Sequence, residues 1–186
     1  MKRMMLVTMM GAVALTVVYA QPSEVGKRRE NQQDRIAQGV GSGSLTAGET
    51  ANLEKKEAAI NHEVRADRAL NGGKLTSQER KIVNGQQNVM SKQIYRDKHN
   101  TATQHYGKNE VDARRANQQA RIANGIASGK MTAGEAARVE KGEAAINREV
   151  HTDRALNGGR LTPGEKATVN AQQNKASAKI YKTKHN

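Results

Sequence analysis

The chain has no cysteine, no phenylalanine and no tryptophan in its 186 residues. Without cysteine there are no disulfides and no thiolate ligand or nucleophile, so folding has to rest on burial and helix formation. Beyond Tyr19 the only aromatics are Tyr95, Tyr106 and Tyr181, and hydrophobic residues make up 35% of the chain. Mean hydropathy is −0.83. Such a composition lies between a small helical domain and a partly disordered polymer, and any core must be built from Ile, Val, Leu and Ala.

Long apolar runs are missing too, with one exception. The basic stretch MKRMM is followed by LVTMMGAVALTVV, which has the length of a signal-peptide core and is too short for a comfortable membrane span. Val18-Tyr19-Ala20 places small residues where a signal peptidase reads them. The expectation is a signal peptide over 1–20, a mature chain that is periplasmic or secreted, and no transmembrane segment after cleavage.

Negative charge is in short supply as well. Lys and Arg number 31 against 18 Asp and Glu, a formal net charge of +13; loss of Lys2 and Arg3 leaves about +11. An exported cation of this kind suits anionic lipid headgroups, lipopolysaccharide phosphates, acidic polysaccharides or extracellular DNA.

What the chain has in abundance is repetition. Residues 27–100 align without gaps to 113–186 at an offset of about 86, with about 46 positions identical. NQQDRIAQG matches NQQARIANG, and DRALNGGKLTSQE matches DRALNGGRLTPGE. This divides the mature chain into a first repeat, 21–100, a linker, 101–112, and a second repeat, 113–186. Each repeat holds two Leu/Met-Thr-x-x-Glu units. Thr-x-x-Glu is a capping box: the Thr side chain accepts from the backbone N–H three residues on, and the Glu reaches back to the Thr N–H. Thr46 and Glu49, Thr76 and Glu79, Thr132 and Glu135, and Thr162 and Glu165 all fit. Pro163 stands at the first helical position, where its missing N–H costs nothing. Gly72-Gly73 and Gly158-Gly159 are natural helix stops, and Gly39 and Gly125 read the same way.

The expected fold is therefore all-α: a tandem duplication of a three-helix unit with four capped helix–turn–helix junctions. In the first repeat the short helix should span about Lys27–Gln38 and the long ones about Ala47–Leu70 and Ser77–Lys98. Apolar residues recur at helical spacing, Leu53, Ile60 and Val64 on one helix and Val83, Met90 and Ile94 on the next. The stripes are narrow, so the repeats should pack on each other or on a second chain.

Gly-x-Leu-Thr-x-x-Glu is also how the second half of an EF-hand loop reads. With Glu79 at the last loop position, however, Arg68, Leu70 and Gly72 occupy positions that need oxygen ligands. Admitting one extra residue leaves Asp67, Asn71 and Glu79 in one loop and Asp153, Asn157 and Glu165 in the other. These loops resemble EF-hand loops in helix–turn–helix geometry, and no metal or other cofactor is expected in them. His99, His105 and His185 lack the i, i+4 partner that a metal site would call for.

Catalysis finds no foothold. The nucleophile elbow and the phosphate-cradling loop are both missing, the best-placed carboxylates are absorbed by capping, and five helical glutamates read as solvated face residues unless a cleft gathers them. The chain reads as a non-enzyme. Binding is better served: Lys27, Arg28, Arg29 and Arg35 lie on the first helix, and Arg114, Arg115 and Arg121 repeat the pattern. Arg80, Lys81, Lys92, Arg96 and Lys98 decorate the third helix, echoed by Lys166, Lys179, Lys182 and Lys184. Without aromatic platforms, contact with nucleic acid would be to phosphate only, with no sequence specificity.

The units RIxxGxxSGxLTxxE and DRALNGGxLTxxE resemble a group of exported, repeat-containing bacterial proteins with no assigned function. The resemblance spans both repeats. It implies a small helical periplasmic or secreted protein and transfers no catalytic or ligand residue. The sequence-based expectation is thus an exported basic helical-repeat protein, a non-catalytic binding or structural module for anionic envelope or extracellular polymers, with self-association open. The alternatives are a divalent-cation binder of degenerate EF-hand type and a hydrophilic stress-associated protein.

Overall fold

The computed structural model of the protein describes residues 23–185; the expected signal peptide lies outside them. The described chain is all-helical, with six helices and no strand: α1 Glu24–Ser42, α2 Ala47–Leu70, α3 Ser77–Lys98, α4 Glu110–Ala127, α5 Ala133–Leu156 and α6 Pro163–Lys184. No helix among the described residues is long and apolar enough to cross a membrane.

The helix starts follow the capping chemistry. All four Thr-x-x-Glu units form complete capping boxes, with the Thr N–H donating to the Glu carboxylate at 2.9, 2.7, 2.9 and 2.8 Å. Ser23 and Asn109 cap α1 and α4. The stops after α2 and α5 are glycines with positive φ: Gly72 at 60° and Gly73 at 87°, Gly158 at 61° and Gly159 at 88°.

The expected stop at Gly39 and Gly125 does not occur. α1 runs on through Gly39 to Ser42, and Gly43 takes the left-handed turn at φ 74°. α4 likewise passes Gly125 to Ala127. The extra turn carries Val40 and Ile126 into the core, 1% and 3% exposed. Gly39 is a helical residue that lets another side chain lie on the backbone. A Cβ there would sit 2.6 Å from the Leu45 side chain, which is 1% exposed and has nowhere to move. At Gly125 a Cβ would meet Met131 Cβ and Cε at 3.3 Å, a contact relieved by a shift of a few tenths of an ångström. The two matched positions should therefore respond oppositely. Gly39→Ala is expected to destabilise by about 1–3 kcal/mol through overpacking. Gly125→Ala should be neutral or gain up to about 1 kcal/mol of helix propensity. Thermal melting of the two single variants checks this.

Within the first half, α3 packs across α1 and α2; in the second, α6 packs across α4 and α5. The halves then meet along α1 with α4 and α2 with α5. Val64, Arg65 and Arg68 near the end of α2 line one cavity with Thr132 and Ala133 at the start of α5, so these helices run antiparallel. The DRALNGG turns accordingly lie toward opposite ends of the seam.

The six expected stripe residues, Leu53, Ile60, Val64, Val83, Met90 and Ile94, are all buried. One apolar cluster joins them to Ile122, Ile126, Val139 and Ile180 of the second half, while Val111, Ile146, Val150 and Val169 form a smaller cluster of their own. Where apolar surface runs short, glutamine amides fill in. Buried Gln32 donates to the Gln87 carbonyl at 2.7 Å, and Gln87 donates to the Val25 carbonyl at 3.0 Å. Gln118, Gln173 and Val111 repeat both bonds at 2.7 and 3.0 Å. A buried amide that finds a helix carbonyl avoids the desolvation penalty of an orphan donor.

Candidate functional site

The side chains that least suit their surroundings sit in the seam. Glu54 and Glu57 on α2 and Glu140 and Glu143 on α5 are 0–1% exposed. Leu53, Glu57, Ile60 and Val64 follow one another at spacings of four, three and four, so Glu57 lies in the middle of an apolar stripe and Glu54 beside it. Val139, Glu143, Ile146 and Val150 repeat the pattern. Helical period therefore carries these carboxyls to the face that must be buried. The expectation that helical glutamates are solvated fails for these four, because antiparallel packing of α2 on α5 closes over both faces at once.

Their surroundings offer few donors. Gln33 donates to Glu54 at 3.2 Å, and Gln119 to Glu140 at 3.0 Å. The other oxygen of Glu54 and of Glu140, and both oxygens of Glu57 and Glu143, have no hydrogen-bond partner. Burial pushes the carboxyls up, Glu54 and Glu140 to about 8 and Glu57 and Glu143 to about 7. The Gln33 and Gln119 hydrogen bonds oppose the rise at Glu54 and Glu140, and the charges of Arg29 and Arg115 oppose it at Glu57 and Glu143. The Glu54 carboxyl adds to the rise at Glu140 across the seam. At neutral pH Glu54 and Glu140 are therefore mostly protonated and Glu57 and Glu143 about half so, protonation being the form in which a buried carboxyl loses least.

The two sides of the centre differ. Arg115 is buried and held by Asp112 at 2.9 Å and Asn147 at 2.6 Å, with Tyr106 under its guanidinium at 5.4 Å. Arg154 reaches the same Asp112 oxygen at 3.1 Å. Burial works to raise Asp112, but the Arg154 and Asn109 hydrogen bonds and the neighbouring cations hold it below the usual range. In the first half Gly26 stands in the place of Asp112, and Arg29 is exposed.

The cations singled out on α1 and α4 turn mostly inward. Arg28 binds Asn88, Arg35 donates to the Ser91 carbonyl at 3.1 Å, Arg114 to Asn174 at 2.6 Å and Arg121 to the Ser177 carbonyl at 3.2 Å. Each ties the first helix of its half to the third. Lys27 and Arg29 are exposed.

The freer cationic surface lies on the outer helices. Lys92, Arg96 and Tyr95 are exposed and line one shallow depression with Val89 and Ser91. Tyr95 stacks on His99 with ring centroids 4.2 Å apart and planes at 24°; Tyr181 stacks on His185 at 4.1 Å and 22°. The tyrosines are 59% and 60% exposed, so these are open aromatic faces, and the expected lack of aromatic platforms does not hold. Tyr-x-x-x-His at helical spacing was legible in the sequence as the signal for both stacks.

At the turns, Asn71 donates to both oxygens of Glu79 at 2.8 and 3.0 Å, and Asn157 to both of Glu165 at 2.9 Å. Backbone and side-chain hydrogen bonds from Thr76 and Thr162 hold these glutamates below the usual carboxylate range. Asp67 and Asp153 are half-buried, and partial burial with the neighbouring glutamates raises them. Among the described residues neither makes an ion pair, and no group of three or more His, Asp or Glu is disposed to hold a metal ion.

Comparison of the chain with protein-family models, curated proteins and solved structures returns no match, so function has to be read from the geometry.

Proposed function

We propose that the protein is an exported tandem duplication of a three-helix unit that acts as a non-catalytic binding module for anionic envelope or extracellular polymers. The observation that carries this reading is the pair of open Tyr–His stacks, each beside exposed cations: Lys92 and Arg96 in one half, Lys182 in the other. A flat ring next to a cation suits a polymer of rings bearing anionic groups, such as an acidic polysaccharide. The recurrence of the capping boxes and of the glutamine bonds at matched positions supports the duplication. Protonation of the four seam carboxyls raises the net positive charge further. Two equivalent ends raise avidity if one polymer spans both.

Retention on immobilised heparin is the test. The protein should bind at low salt and elute as salt rises, since each phosphate- or sulfate-type contact releases counterions. Lys92→Ala/Arg96→Ala/Lys182→Ala should elute at clearly lower salt while melting unchanged, because all three side chains are exposed. Passage of the wild type through the column at low salt, or identical elution of the variant, would sink the reading.

A further inference from the structure

We propose that the seam between the halves is a proton-controlled joint: closed while its four buried carboxyls are protonated, and opened when they ionise. The geometry is what carries it. Glu54, Glu57, Glu140 and Glu143 lie on the paired helices α2 and α5, fully buried, with six of their eight oxygens unpartnered, and Glu54 is near enough to Glu140 for their charges to interact. A protonated carboxyl brings its own O–H donor and can be satisfied by a neighbouring carboxyl, whereas a carboxylate only accepts and needs donors the seam does not hold.

The groups facing the centre cannot compensate four charges. From α1 come Arg29, which is exposed, and the Gln33 amide; from α4 come the Gln119 amide and Arg115, whose charge is already shared with Asp112. Asn61 on α2 lies beside Glu57 but outside hydrogen-bond geometry, and Asn147 on α5 is taken by Arg115. Tyr106, from the segment between α3 and α4, has its hydroxyl buried without a partner; burial, then the Glu140 and Glu143 charges, keep it protonated. Ionisation therefore leaves like charges in a buried seam, and the relief is to let water in between α2 and α5. The outer helices stay tied to their own halves by the Gln32–Gln87 and Gln118–Gln173 bonds. Opening of α2 from α5 leaves the α1–α4 contact between the halves in place, and the joint stands whether or not the Tyr–His ends bind a polymer.

Hydrogen exchange on the whole chain, corrected for the intrinsic pH dependence of exchange, reads the joint directly. Between pH 5.5 and pH 9, amides of residues 53–61 and 139–147 should lose about tenfold or more of their protection, while residues 83–94 and 169–180 keep theirs. Glu54→Gln/Glu57→Gln/Glu140→Gln/Glu143→Gln keeps the shape and cannot ionise, so its seam should stay protected at pH 9. Glu54→Gln/Glu140→Gln should show about half the loss on a logarithmic scale. The joint is refuted by unchanged seam protection in the wild type or by equal loss in the quadruple variant. Simultaneous loss in α3 and α6 would refute it as well, since that is global unfolding.

Discussion

Melted at pH 5, the protein should unfold roughly 10 °C above its midpoint at pH 8.5. The four seam carboxyls have folded-state values of about 7 to 8, well above their ordinary value in an unfolded chain. Below pH about 4.5 both states are protonated and their contribution to stability is fully present. Between about 4.5 and 8 the unfolded chain releases these protons first, so stability falls as pH rises. Above about 8 both states are ionised and the loss levels off. Other carboxyls work in the opposite sense: hydrogen bonds from Thr76, Thr132 and Thr162 lower Glu79, Glu135 and Glu165. Their stabilisation is present above the unfolded value and is lost in acid, so the optimum should lie near pH 5. Replacing all four seam glutamates by glutamine should flatten the fall between pH 5 and 8.5 and leave the acid limb intact. A wild-type midpoint that stays constant from pH 5 to 8.5 would contradict the buried carboxyl centre.

Leu53→Ala should be the most damaging single truncation in the seam. Leu53 is 0% exposed and belongs to the cluster that spans both halves. Removing a buried leucine side chain costs about 2–5 kcal/mol through lost transfer energy and the cavity left behind. For a chain of this length, at about 2–4 °C per kcal/mol, that lowers the midpoint by about 4–20 °C. The effect should be at the upper end here, because so few apolar side chains share the burden. Val139 stands at the matched place on α5, 3% exposed, and Val139→Ala removes fewer atoms, so its cost should be smaller, about 1–3 kcal/mol. Tyr95→Ala is the control: the ring is 59% exposed, and the midpoint should move by less than about 2 °C. Guanidinium melts of the three variants at pH 5, where the seam is closed, give the ranking.

How far the fold was legible depended on where the physics is local. α2 and α3 begin where capping boxes place them, and α2 ends at its paired glycines, since those bonds span three or four residues and need no distant partner. α1 outran its expected end at Gly39 because the deciding interaction is Leu45 lying on the helix backbone, a contact made only after the chain has turned back. The basic residues on α1 and α4 looked like a free surface until α3 and α6 arrived with Asn88, Ser91, Asn174 and Ser177 to receive them. The seam glutamates were visible as a fault in the apolar stripe, at Glu57 and Glu143, but a narrow stripe with a polar member also describes a helix at a surface.

The sequence by itself determined that the chain is helical, where most helices start and stop, that its two halves repeat, and that it carries a large positive charge. These follow from backbone capping, side-chain period and composition, which act within a few residues or over the whole chain. Only the tertiary structure decided which face of α2 meets which face of α5, and with it that four carboxyls are shut away together. Antiparallel pairing of two helices from matched positions of the repeat doubles the carboxyls on the shared face. One misplaced carboxylate would be tolerable at a surface; doubled and enclosed, the same residue becomes a centre whose charge the rest of the molecule cannot ignore.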